Sequence, residues 1–353
     1  MSSASEPVRW GFAGASTWAS RYLIPAVQGQ PDSHAVGVFS TSRERGERFA
    51  KEHGLKRAFA SLDELVADPG IDAVYISTTN DLHAEQTIAA ARAGKHVLCE
   101  KPLAVTIDDA WRMRDACEEA GVVFGTNHHL RGAPTILAMR KLVEEGAIGD
   151  IVAARVFHAG LLPEVFRTWR LARPETGAGV VLDLTVHDTD TIRFLMSDEV
   201  AEVVALTANQ GLAHAGIEDS VMGVLRMQGG ALVSFHDAFT VPHAGTGVEL
   251  HGTTGSLIGR DVLGPEPVGE VFVTRGSHTE QVDVGERWPI YEYAVRRFNA
   301  AVRSGGSPLA SGDDGIASLS VALAAAESAR TGAAVRPASS PTSPDQHDRG
   351  AVS

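Results

Sequence analysis

The sequence predicts an α/β fold in two parts: a doubly wound parallel sheet, then an α+β domain built on an open, largely antiparallel sheet. Three observations carry this. Short apolar runs alternate with amphipathic helical stretches as far as residue 127, the pattern of a parallel sheet with helices on both faces. Beyond that point, apolar and polar residues alternate along successive runs, as in antiparallel sheets covered on one side. A glycine turn, Gly14-Ala15-Ser16-Thr17-Trp18-Ala19, stands between the first strand and the first helix, where a Rossmann fold places its dinucleotide.

Taken in order, Val8 to Ala13 reads as a strand and is followed by a helical stretch to Gln28. His34 to Ser40 and Ala73 to Ser77 are further strands, with a helix from Arg43 to Gly54 between them. Asp81 is placed to cap the next helix, His83 to Ala93, and Gly94 to end it. His96 to Cys99 is a strand, Ile107 to Ala120 a helix stopped by Gly121, and Val122 to Thr126 a strand. A helix from Pro134 to Glu145 opens the second part. Strands are expected at Ile151–His158, Ala201–Leu206, Ser220–Met227, Ala231–Ala238, Val248–Gly252 and Val271–Thr274. Two late helices, Tyr291–Arg303 and Asp313–Thr331, should pack on one of the domains. From Pro337 the chain is nearly free of apolar residues, which predicts a disordered tail. The expected division is a dinucleotide-binding domain over 1–127, a substrate-binding and dimerisation domain over 128–336, and the tail over 337–353.

The bulk numbers limit the function. The chain has 353 residues, 44% hydrophobic and 21% charged, enough for about two cores. A net charge of −13 argues against nucleic acid or an anionic membrane as the main partner. Cys99 and Cys117 lack metal-ligand spacing and read as buried free thiols. Met1 to Pro7 has no apolar signal core, and no apolar run approaches the ~20 residues of a membrane span, so a cytoplasmic protein is expected.

The turn departs from the usual G-x-G-x-x-G/A, reading Gly14-x-Ser16-x-x-Ala19. Ser16 is small enough for close backbone approach, and its hydroxyl suits a phosphate oxygen. The second strand ends in Phe39-Ser40-Thr41-Ser42-Arg43-Glu44-Arg45. An NAD site carries a carboxylate there; hydroxyls followed by guanidinium groups attract a 2′-phosphate instead, which favours NADP. Ser42 also suits a helix cap, with both arginines as surface charges.

Glu100-Lys101-Pro102 follows a strand at the carboxyl edge of the parallel sheet, where α/β folds place ligands. A lysine there can donate a hydrogen bond to a carbonyl oxygen as hydride arrives. Further on, Asp183 and His187 fall at i and i+4. On a helix they share a face, as a hydrogen-bonded acid–imidazole pair or as two metal ligands. His128-His129 adds to the metal alternative, but no third ligand has matching spacing, and no metal is expected.

These residues resemble the glucose–fructose oxidoreductase and inositol dehydrogenase family of nicotinamide-dependent sugar enzymes. The resemblance covers residues 8 to 332 and is carried by the glycine turn, Val74-Tyr75-Ile76-Ser77-Thr78-Thr79-Asn80, and the Ala93–Leu103 segment with Glu100-Lys101-Pro102. Gly125-Thr126-Asn127-His128-His129-Leu130-Arg131 and Val156-Phe157-His158-Ala159 add to it, as do Trp169-Arg170-Leu171, Thr185-Val186-His187-Asp188 and Phe235–Thr240. It implies NADPH-dependent reduction of a sugar ketone, 1,5-anhydro-D-fructose to 1,5-anhydro-D-mannitol. It places Ser16 and Ala19 in the cofactor turn, which also holds Gly14 and Thr17, and Ser40 and Arg45 near the 2′-phosphate, with Thr41 beside them. Arg43 departs from the resemblance and would add positive charge for NADP. Thr78, Asn80 and His83 lie along the nicotinamide half of the cleft, and Glu100 and Lys101 beside the nicotinamide ribose. Lys101, Asp183 and His187 are the implied catalytic set, with the proton coming from His187 or from Lys101. Arg170, His158, His128 and Glu164 are polar groups available to a sugar. Trp18 is bulkier than the resemblance implies. The alternatives are another NAD(P)-dependent sugar or polyol dehydrogenase, or a non-catalytic nucleotide-binding sensor. The small-molecule sugar is the expected partner, and a homo-oligomer through the open sheet face is expected by analogy.

Overall fold

The computed structural model describes residues 6–339. The predicted tail lies outside the described residues from 340 on, as do Met1 to Ser5 of the N-terminal segment.

The first sheet is parallel and is built from β1 (Val8–Ala13), β2 (Ser33–Phe39), β3 (Arg57–Phe59), β4 (Ala73–Ile76), β5 (His96–Cys99) and β6 (Phe124–Thr126), in the order 3-2-1-4-5-6. Side chains alternate across it. Trp10, Phe12 and Tyr75 face a core made by α1 (Ile24–Gln28) and α2 (Arg43–Glu52). Ala13, Val74 and Ile76 face the opposite core, made by α3 (Leu62–Ala67), α4 (His83–Arg92) and α5 (Ile107–Ala120).

The second sheet follows α6 (Pro134–Glu144) and surrounds α7 (Val186–Met196) in sequence. Its strands are β7 (Ile151–Ala159), β8 (Val200–Ala208), β9 (Ser220–Met227), β10 (Leu232–Ala238), β11 (Gly247–Gly252), β12 (Ser256–Arg260), β13 (Glu270–Arg275) and β14 (His278–Gln281). They run in the order 14-13-12-11-7-10-9-8, antiparallel except where β10 pairs with β7. One face is buried: Val203, Ala205, Val221 and Leu225 enter a core shared with α6 and α7. Their neighbours Val204, Leu206, Met222 and Val224 are exposed on the other.

The chain then returns to the first sheet. α8 (Ile290–Ser304) completes the β1 side, with Tyr291, Val295 and Phe298 in that core and Asn299 bonding both Trp10 Nε1 and Ser33 Oγ. α9 (Gly312–Thr331) starts beside β6, where Thr126 N donates to Ala310 O at 3.0 Å, and packs on both halves of the molecule.

Five elements were not expected: β3, α3, α7, β12 and β14, the stretch of α7 being read from sequence only as one on which Asp183 and His187 would share a face if helical. β3 and α3 are too short to show a period, β14 is exposed along its whole length, and β12 has only five residues. One expectation was wrong: Asp81 does not cap α4. The chain enters α4 through a 3₁₀ turn, Asn80–Leu82, so the cap position falls on Leu82, already helical, and no side chain bonds back. Ser42 does cap α2, accepting from Arg45 N.

Candidate active site

The order of the first sheet reverses at β1 and β4, and a cleft opens outside their carboxyl ends. Gly14 begins its wall at φ +114°, and a Cβ there would stand 2.9 Å from the backbone of Ser77. Only glycine fits so close a crossing. Ser16 Oγ accepts from Ala19 N at 3.0 Å and donates to Ser77 Oγ at 2.8 Å. This contact links the cofactor turn to the end of β4, and Ser16 stays in the wall of the cleft. Thr17 lines the cleft at the start of the helix, where the first N–H groups have no partner within the helix and suit a pyrophosphate. Ala19 lies beneath, fully buried, in a π-helical turn, Ala19–Leu23, that leads into α1.

At the end of β2, Ser40, Thr41 and Arg45 line the cleft together. Arg45 Nε donates to Ser40 Oγ at 3.0 Å. Arg43 points elsewhere: it pairs with Glu47 at 2.8 Å and its side chain is 83% exposed, because a helix carries its first and third residues to different faces. Glu44 pairs with Arg48 and is equally exposed. The cleft lining at this end thus presents hydroxyls and one guanidinium.

Thr78, Asn80, His83, Glu100 and Lys101 line the other half. Thr78 Oγ1 bonds Gln86, and Asn80 Nδ2 donates to Gly177 O at 3.3 Å. His83 Nδ1 lies 3.0 Å from Pro102 O, which holds the Glu100–Pro102 loop down; a carbonyl can only accept, so Nδ1 carries the hydrogen. The Lys101–Pro102 peptide is cis. Glu100 turns inward, where Tyr75 and Asn127 both donate to Oε1, and burial raises its carboxyl above the usual range.

Lys101 Nζ is held at 2.8 Å by Asp183 Oδ1 and at 2.7 Å by Asp183 O. Arg170 lies 3.4 Å from Asp183 Oδ2. Burial alone would raise the Asp183 carboxyl, but Lys101 and Arg170 outweigh it and hold it down to about 2. The expected Asp183–His187 bond does not form, since two cations outcompete a neutral imidazole for one carboxylate. Asp183 sits in a second π-helical turn, Val181–Thr185, just before α7. His187 is nearby on α7, edge-on to the rings of His128 and His129, with Nδ1 buried and unpartnered. Burial, then the Lys101 charge, push its imidazole well below the ordinary value, so it is neutral at pH 7.

The roof of the cleft was not legible as such. Val165, Phe166, Thr168, Trp169 and Arg170 come from the loop after β7. Arg170 stacks over Trp169 at 4.7 Å, and Phe166 stacks on Trp18 at 5.3 Å and 8°. Trp18 also stacks on Tyr22, so its bulk joins the cofactor turn to a loop of the second sheet. Trp169 and Arg170 stand in a stretch that carried the resemblance; nothing local marked Phe166. Of the other polar groups, His128 bonds Ser318 in the interior, Glu164 is exposed, and His158 bonds Asp188 behind Lys101. Among the described residues no group of three His, Cys, Asp or Glu side chains is arranged to hold a metal.

Residues 8–128 match the oxidoreductase family with an NAD-binding Rossmann fold, and residues 136–258 match the GFO/IDH/MocA C-terminal domain. The chain is 51% identical over 326 residues to a 1,5-anhydro-D-fructose reductase of Ensifer adhaerens, covering 92% of this chain and 97% of that one. It is 30% identical over 311 residues to a myo-inositol 2-dehydrogenase of Thermotoga maritima, covering 84% and 89%. A solved levoglucosan dehydrogenase in complex with NADH and levoglucosan is 25% identical, with a TM-score of 0.84 over 94% of this chain and 100% of that one. Both halves of the molecule and a closely similar relative agree, and the chain belongs to the GFO/IDH/MocA family of NAD(P)-dependent sugar oxidoreductases.

Proposed function

We propose that the enzyme reduces 1,5-anhydro-D-fructose to 1,5-anhydro-D-mannitol with NADPH. The observation that carries this is the Lys101–Asp183 pair at the nicotinamide end of a cleft whose other end presents Ser40 and Arg45. The likeness to the Ensifer adhaerens reductase supports the substrate. NADPH, when bound, supplies the hydride.

The chain's own residues handle the oxygen. Charge grows on the keto oxygen during reduction, and an ammonium aimed at it stabilises that charge and can pass it a proton. Asp183 aims Lys101 through two acceptors. Arg170 approaches the same carboxylate, with Nε 3.5 Å from Oδ1 and 3.4 Å from Oδ2, and so limits its movement. A neutral His187 has one hydrogen and suits orienting a sugar hydroxyl better than supplying the proton. Of the two proton sources open from sequence, Lys101 is therefore proposed, with His187 orienting the sugar. The intact Lys101, Asp183 and His187 speak against a non-catalytic sensor.

The deciding experiment follows NADPH oxidation with 1,5-anhydro-D-fructose and a panel of ketoses. Lys101→Ala should abolish turnover while NADPH still binds. A near-normal rate in that variant removes Lys101 from the chemistry; tight NADPH binding with no carbonyl turned over by the wild type supports the sensor. The exposed row Val204, Leu206, Met222 and Val224 supports pairing with a second copy of the chain.

A further inference from the structure

Three titratable side chains behind Lys101 take no part in the chemistry above. His158 and Asp237 are paired residues of the parallel strands β7 and β10, so their side chains share one face of the sheet. Asp188 comes down onto that face from the first turn of α7. His158 Nδ1 lies 2.8 Å from Asp188 Oδ1. Thr185 Oγ1 donates to Asp237 Oδ2 at 2.5 Å. The two remaining oxygens, Asp188 Oδ2 and Asp237 Oδ1, are buried with no donor from any other residue, and each carboxyl is close enough to shift the titration of the other. Asp188 is 2% exposed and Asp237 is 0%.

Two bare carboxylates close together away from water repel strongly, so one of the two keeps a hydrogen, which can then bridge them. The surroundings decide which one keeps it. Burial raises both acids, and the Asp188 charge raises Asp237 further, well above its usual range. Asp188 rises only to about 7, since the hydrogen bond from Asp237 and the Lys101 charge pull it back. Of the two, Asp237 keeps its hydrogen more strongly, and Asp188 is the one that ionises first. An ionised carboxylate only accepts, so the hydrogen in its bond to His158 belongs to Nδ1. Burial pushes the His158 imidazole down to about 4, so it carries no second hydrogen at pH 7. Its Nε2 is then a bare acceptor. The side chain is 14% accessible and lies within the fields of Lys101 and Asp183.

We propose that Asp237 and Asp188 hold one proton between them, which keeps the hydrogen of His158 on Nδ1 and presents Nε2 to the sugar site as an acceptor for a substrate hydroxyl. The hydroxyl rests on the sugar-ketone reading; the proton arrangement does not. The triad would make the site selective, because an acceptor held in place by buried groups rejects a sugar lacking the matching hydroxyl. Lys101 donates at the carbonyl and His158 accepts at a hydroxyl, so together they fix which way round a polyhydroxy ring enters.

The test is ¹⁵N NMR of the histidine-labelled full chain at pH 7, with the His158 signals assigned by their loss in His158→Gln. The expected pattern is a neutral ring protonated at Nδ1, retained in Asp237→Asn, whose amide N–H replaces the acid hydrogen. A wild-type His158 protonated at Nε2, or at both nitrogens, overturns the proposal. In steady-state assays, His158→Leu should raise the sugar KM by about tenfold or more, as expected for a lost hydroxyl contact, with kcat and the NADPH KM little changed. His158→Gln, which can return an acceptor near Nε2, should recover part of the loss. An unchanged sugar KM in His158→Leu removes the hydroxyl contact. If the wild type turns over no sugar ketone, it is the functional reading that fails, and the NMR pattern still decides the proton arrangement.

Discussion

Lys101, Asp183 and Arg170 form a set in which each charge limits the movement of the next. Asp183→Asn would keep the shape of that set and remove its charge. We expect kcat to fall by about 10²-fold, because Lys101 loses its aim, with a smaller effect on NADPH KM. A kcat within twofold of wild type would show that the main-chain carbonyl of Asp183 suffices to aim Lys101. Arg45 is the clearest test of the cofactor end. Arg45→Ala should raise the KM for NADPH by about tenfold, the value of one charge-assisted contact, and leave NADH kinetics unchanged. An equal loss with both cofactors would mean that Arg45 only supports the strand end. Lys101 and Arg45 were legible because each sits one short loop from a strand whose direction the sequence shows. The partners of Asp183 were not: i and i+4 spacing brings it near His187, but the competition was settled by cations from residues 101 and 170.

Two π-helical turns, Ala19–Leu23 and Val181–Thr185, border the same cleft, one beside the cofactor turn and one carrying Asp183. Such turns have no local sequence mark: the first reads simply as the start of a helix, and the second only as a stretch on which Asp183 and His187 would share a face if it were helical. The loop after β7 is the element that closes the site, and the stacked Trp18 and Phe166 hold it to the cofactor turn. Stacked pairs of this kind contribute about 0.5–1.5 kcal/mol beyond the area they bury. Trp18→Ala should therefore weaken NADPH and NADH binding alike by about threefold to tenfold, measured by fluorescence titration. A change seen with NADPH alone would place the effect at the 2′-phosphate instead. The sequence marked Trp18 as out of place but not its purpose, because Phe166 lies 148 positions away by numbering and the stack exists only once the two halves meet.

At the scale of the molecule, the interior holds several histidines in neutral form. Burial pushes His128 to about 4, His129 to about 3 and His158 to about 4, with His83, His96 and His187 also lowered. The unfolded chain takes up these protons near pH 6.5, while the folded chain resists until the lower values. Their contribution is thus complete above pH 6.5 and is lost as the pH falls towards 4. Asp188 and Asp237, whose raised values favour the folded state at low pH, oppose this but are fewer. The urea midpoint should fall steadily from pH 6.5 to 4.5; a flat or rising midpoint would mean that these histidines are protonated in the folded state. The exposed sheet face predicts a second outcome. Leu206→Glu with Met222→Glu should convert a dimer to a monomer in sedimentation without loss of fold, and a wild-type monomer would remove that interface. No helix among the described residues is long and apolar enough to cross a membrane.

The sequence by itself determined the layered order of the fold, the place of the glycine turn, the basic strand end and the lysine at the carboxyl edge of the parallel sheet. All are local: a period of two or of 3.6, a glycine between strand and helix, a charge just past a strand end. Only the tertiary structure decided what those residues do to one another. It gave the Ser16 hydroxyl to Ser77, turned Arg43 away to Glu47, paired Asp183 with Lys101 in place of His187, and buried Asp188 against Asp237. In each case a side chain had more than one possible partner. Which was nearest, and whether water was excluded, depended on segments distant in the chain; charge and burial then selected the pairing.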